Sequence, residues 1–139
     1  MHNVKPIMLV EDDEVDAMTV ERALKDIKAI NNLVREADGR EALDYLTDRE
    51  NPKPCVILLD LNMPRMNGFE FLRVVKADDI LKRIPVVVLT TSSADQDIVE
   101  SFKMNVAGYI IKPVDYKKFV EAIRILDLYW TLSELPRED

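Results

Sequence analysis

Five short apolar runs, each followed by a stretch with helical spacing, constrain this chain more than any other feature. The runs are PIMLV (6–10), NLVREA (32–37), CVILL (55–59), PVVVLT (85–90) and GYIIK (108–112). Three are nearly continuous in Val, Ile and Leu, the pattern of strands buried on both faces of a parallel sheet. NLVREA is more polar and predicts an edge strand. Strands alternating with helices predict right-handed crossovers and helices on both faces of one sheet. Spacing alone leaves the strand order open.

The intervening stretches carry apolar stripes that can cover a sheet face. Ala17, Val20, Leu24 and Ile27 recur at threes and fours, as do Ala42, Leu43 and Leu46. Phe69, Leu72 and Val75 follow Gly68; Ile98, Val99 and Phe102 follow SSADQD; Phe119, Ile123, Leu126 and Trp130 mark the last helix. Helix starts fall at Asp13 or Glu14, Asp38, Asn67, Ala94 or Asp95, and Asp115. TDRENPKP (47–54) is a polar connector.

A chain of 139 residues suits one domain with a real core. A net charge of −7 argues against DNA or an anionic membrane as a partner. Cys55 is the only cysteine, so no internal disulfide forms, which fits a reducing cytoplasm. The N-terminus lacks the apolar core of a signal peptide, and no apolar run is long enough to span a bilayer. His2 is the single histidine, which excludes His-rich metal sites and Ser/His/Asp triads.

In an open α/β sheet, ligands bind beyond the carboxyl ends of the strands. The first run ends in Glu11, Asp12 and Asp13; the third in Asp60; the fourth in Thr90, Thr91 and Ser92; the fifth in Lys112 and Pro113. A lone Asp at a strand end is usually a turn former or cap, a Thr-Thr-Ser run an ST-turn, and Lys-Pro a loop. All four at the same end of the strands point instead to one site. Carboxylates from two strands repel unless a cation joins them, and hard oxygens suit Mg²⁺. Asp60 can then accept a phosphoryl group, with the cation, a lysine and a hydroxyl stabilising the charge in transit.

The sequence resembles the receiver domain of two-component response regulators over about residues 5–127, with 128–139 as a C-terminal extension. The matching motifs are LVEDD (9–13), LLDLNMPRMNG (58–68), VVVLTT (86–91) and GYIIKP (108–113). The resemblance implies a doubly wound, flavodoxin-like α/β fold, five parallel strands in the order 2-1-3-4-5, the order of the family's chemotaxis member. It implies Asp60 as phosphoacceptor, Asp12 as a direct Mg²⁺ ligand, Glu11 acting mostly through water, and Asn62 giving its backbone carbonyl to the metal. Lys112 would contact the phosphoryl group, Thr90 would bond it after a switch, and Tyr109 would turn into the space Thr90 leaves. Pro113 matches a proline whose peptide bond is typically cis, and Thr91 the small residue after the switch hydroxyl. Asp13 falls just outside the acidic pair, and Ser92 stands where access of water to the phosphate is tuned.

The implied phosphodonor is a phosphohistidine on a sensor histidine kinase. Output would pass through a protein surface to a downstream target. The stretch RILDLYWTLSELP (124–136) is apolar on several sides of any helix and either folds back on its own domain or binds a partner. With KADDILKRIP it is similar to regulators paired with bacterial phytochrome-type kinases, which implies a homodimer surface over 108–135. Two alternatives compete. A phosphohydrolase with an aspartyl-phosphate intermediate needs an acid two positions after its nucleophile, where Asn62 stands. A degenerate binding module is disfavoured by the intact Asp12, Asp60, Thr90 and Lys112.

Overall fold

Each apolar run becomes a strand: β1 Ile7–Val10, β2 Leu33–Glu36, β3 Val56–Leu59, β4 Val86–Thr90 and β5 Gly108–Ile111. The structure, a computed structural model, describes residues 4–63, 65–91, 94–112 and 115–132. The strands form one sheet in the order β2-β1-β3-β4-β5, with every neighbouring pair parallel. The polar NLVREA run lies at one edge, as its composition predicts, and all four residues of β2 are half-buried. The central β1, β3 and β4 are buried throughout.

Five helices alternate with the strands: α1 Glu14–Asp26, α2 Gly39–Thr47, α3 Gly68–Ala77, α4 Asp95–Lys103 and α5 Tyr116–Leu132. The strand period of two divides the core between the sheet's faces. Met8, Val10, Ile57, Leu59, Val86 and Val88 pack with Ala42, Leu46, Phe71, Leu72 and Val75 of α2 and α3. Ile7, Leu9, Leu58, Val87 and Leu89 pack with Ala17, Val20 and Leu24 of α1 and Phe119 and Ile123 of α5. Each large side chain so buried contributes about 1.5–3 kcal/mol. A polar clasp also joins α1 to α5: the Tyr116 hydroxyl donates to Asp26 Oδ2 at 2.6 Å, and Arg22 lies over the Tyr116 ring.

Local signals start the helices. Asp13 and Asp38 each accept a backbone N–H at 2.9 Å, from Asp16 and Glu41. Asn67 and Glu70 form a reciprocal capping box. Helix α4 departs from the expected stripe: Val99 and Phe102 are about half exposed, while Ser101 is fully buried with an unpartnered hydroxyl. Three and four residues share a helical face, and here the inward face is the one through Ser101. Helix α5 continues unbroken past position 127 to Leu132. Pro113, Ser92, His2 and the side chain of Trp130 lie outside what the structure describes.

Candidate functional site

Sheet register alone assembles the site. Val10 of β1 stands opposite Leu59 of β3, so the next residues, Glu11 and Asp60, emerge side by side. The Asp60 N–H donates to the Val10 carbonyl at 3.0 Å, extending the ladder one residue beyond the strand. Thr90 pairs with Ile111 of β5, which places Lys112 just past the rim, its N–H donating to the Thr90 carbonyl at 2.7 Å. Glu11, Asp60 and Thr90 are buried, Asp12 is exposed and Lys112 is half-buried.

The carboxylates of Glu11, Asp12 and Asp60 each present an oxygen, all within 4.8 Å of one another. Two buried acids and one exposed acid, with oxygen donors only, fit a hard divalent cation that keeps some of its water. The Asn62 N–H donates to Asp60 Oδ1 at 3.3 Å, and its side-chain amide donates to the Thr90 hydroxyl, also at 3.3 Å. Thr91 is exposed just beyond the end of β4. Tyr109 is half-buried against the α2–α3 side of the core, in register with Val88. The Asp13 carboxylate is not one of the three and caps α1, while its N–H donates to Glu11 Oε2 at 3.3 Å.

Lys112 brings an ammonium to this rim, donating to Glu11 Oε1 at 2.6 Å and to Asp16 Oδ2 at 2.7 Å. Burial pushes the Glu11 carboxyl up to about 7; the hydrogen bond from Lys112 opposes this and the nearby Asp60 charge adds to it. Burial also pulls Lys112 down, but the bonds to Asp16 and Glu11 and the charge of Asp60 outweigh it and hold Lys112 above its ordinary value.

Three contributors escaped the sequence reading. Asp16, three residues beyond the cap Asp13, lies in the first turn of α1 and pairs with the Lys112 ammonium at 2.7 Å. Arg35, in the polar edge run, donates through Nε to the Glu11 carbonyl at 3.1 Å and through Nη2 to the Asp12 carbonyl at 3.3 Å. Its Nη1 pairs with Glu14 at 3.0 Å. Arg35 thereby pins the backbone of the acidic pair. The third is Arg65, which ties the loop after Asp60 to the buried Asp38 at 2.9 Å.

Gly68 explains the glycine that follows Asp60. A Cβ there would meet Leu61 Cα at 2.6 Å and the Asp60 carbonyl oxygen at 2.7 Å. Only glycine lets α3 begin against the backbone that carries Asp60. The Gly68 N–H seals the contact by donating to the Leu61 carbonyl at 3.0 Å.

Comparison with known proteins gives a consistent picture. The family model described as "Response regulator receiver domain" matches residues 7–124. The probable methanogenesis regulatory protein FilR2 of Methanothrix harundinacea is 39% identical, covering 94% of this chain and 88% of its own. The response regulator Rcp1 of Synechocystis is 36% identical, covering 91% and 88%. The crystal structure of Mn²⁺-bound Rcp1 superposes with a TM-score of 0.85 at 36% identity, covering 96% of this chain and 99% of that one. The phosphorylated cyanobacterial phytochrome response regulator RcpA gives 0.85 at 36% identity, with 97% and 100% covered.

Proposed function

The chain belongs to the response regulator receiver family of two-component signalling, and on that premise we propose that it takes a phosphoryl group onto Asp60 from a phosphohistidine of a sensor histidine kinase. The P–N bond of the donor breaks as a bond forms between an Asp60 carboxylate oxygen and phosphorus, and the freed imidazole takes up a proton. The observation that carries the reading is the convergence of Asp60, Glu11, Asp12, Thr90 and Lys112 at one rim of the sheet.

Glu11, Asp12, Asp60 and the Asn62 carbonyl would hold Mg²⁺, the Glu11 side chain acting mostly through water. Bound there, the ion supplies positive charge to the oxygens of the phosphoryl group in transit. Asp60 presents its carboxylate at the strand end, oriented by the Asn62 N–H. Thr90 exchanges the Asn62 amide for a phosphoryl oxygen, and Lys112 supplies the charge-assisted hydrogen bond that a dianion favours. Tyr109 follows Thr90 inward, and Thr91 at the mouth keeps the approach open. Two conformations then differ around α4, β5 and α5, and phosphorylation shifts their populations.

The partners follow from this chemistry. RcpA's description as a phytochrome response regulator supports a phytochrome-type kinase as donor. Output passes to a downstream protein through the surface over 108–135, which also serves a second copy of the chain; the exposed Ile111 within it and the exposed Val99 and Phe102 of α4 support an apolar contact. Residues 5–127 act as the receiver and 128–139 as a C-terminal extension. No helix among the described residues is long and apolar enough to cross a membrane, and we place the protein in the cytoplasm. Phosphoryl acceptance, rather than turnover of a free substrate, fits Asn62 at the position where a phosphohydrolase carries its acid. Borohydride reduction of protein treated with acetyl phosphate, followed by peptide mapping, tests the acceptor. Conversion of Asp60 to homoserine is expected; conversion of another acid instead would overturn the assignment.

A further inference from the structure

Lys112 is engaged before any phosphoryl group arrives. It makes ion pairs with Glu11 and Asp16 and, among the described residues, none with Asp60. The two partners differ in what they lose if the ammonium leaves. The Glu11 side chain is 1% exposed, so its abandonment strands a buried carboxylate. Asp16 is 36% exposed, and water replaces the ammonium there at small cost. Asp16 is also held in place, because its N–H donates to Asp13 Oδ1 at 2.9 Å. An ammonium has three donors, so Lys112 can keep Glu11 and trade Asp16 for a phosphoryl oxygen.

We propose that Asp16 is a positioning residue that parks Lys112 against the first turn of α1 in the unphosphorylated protein, and that phosphorylation of Asp60 draws Lys112 off it. This rests on Asp60 being the phosphoacceptor. The ion pair ties the end of β5 to α1, and its release gives α1 a share in the switch. Asp16 thereby sets how strongly the unphosphorylated state resists the phosphoryl group.

The test uses the full chain and beryllofluoride with Mg²⁺, a non-covalent mimic of the phosphoryl group, followed by ¹⁹F NMR. The parent is expected to bind it and Asp60→Asn to fail. Asp16→Asn, which keeps the side chain's shape and removes its charge, is expected to bind about three- to tenfold more tightly. Asp16→Glu restores the charge and is expected to return to the parent affinity. The Lys112 ammonium resonance reports the parking directly: beryllofluoride in the parent and Asp16→Asn without ligand should shift it in the same direction. Unchanged or weaker binding by folded Asp16→Asn, or a Lys112 resonance indifferent to that substitution, would overturn the proposal while leaving Asp60 in its role. A parent that takes up no beryllofluoride would overturn the acceptor assignment and the parking with it.

Discussion

Arg35 reaches from the sheet edge to two carbonyls, and among the described residues its hydrogen bonds and ion pair go to those carbonyls and to Glu14, not to the carboxylates of Glu11, Asp12 or Asp60. It acts on the cation site through the backbone that aims those acids. Arg35→Ala is expected to weaken Mg²⁺ binding about tenfold, the usual scale for a group behind a metal ligand. Calorimetric titration gives the constant, and an unchanged value would mean that β1 alone holds the loop. Cys55 makes the opposite case, a nucleophile put out of reach. It is buried, and burial pushes its thiol up to about 11. Because the folded thiol holds its proton more tightly than the unfolded one, folded stability falls as pH rises from about 9 towards about 11. At pH 8 the thiol is expected to react with a disulfide reagent only as fast as the chain unfolds. Rapid labelling of the native protein would contradict its burial.

At the scale of elements, α3 approaches the Asp60 and Leu61 backbone closely at Gly68. Gly68→Ala drives a methyl group into the Leu61 and Asp60 backbone. A cost of about 1–3 kcal/mol is expected in urea melts, the usual range for overpacking. A loss below half of that would mean α3 can slide away freely. Much of this scale was legible beforehand. Asp13, Asp38 and Asn67 announced the helix starts because a cap is a local interaction between a side chain and N–H groups two or three residues on. Edge position was legible in the polarity of NLVREA. The face that α4 turns inward was not, since Ser101 inside and Val99 and Phe102 outside depend on how the helix docks rather than on its own spacing. Asp16 and Arg35 stayed hidden for a related reason: their partners lie 96 and 24 residues away, and no local pattern marks them.

For the molecule as a whole, one fact of topology does most of the work. Because β1, β3, β4 and β5 are neighbours and parallel, residues spread from Glu11 to Lys112 meet at one rim. The motifs foretold which residue types would gather, and the strand order, implied by the resemblance rather than by spacing, was needed to bring them together. On the proposed reading, this rim makes Asp60 a Mg²⁺-dependent phosphoryl acceptor. The most direct measurement is the intact mass of the chain after brief incubation with acetyl phosphate, with and without Mg²⁺. A gain of one phosphoryl group that requires Mg²⁺ and vanishes in Asp60→Asn is expected. Folded parent protein that gains no mass, or an Asp60→Asn variant that gains as much as the parent, would contradict it.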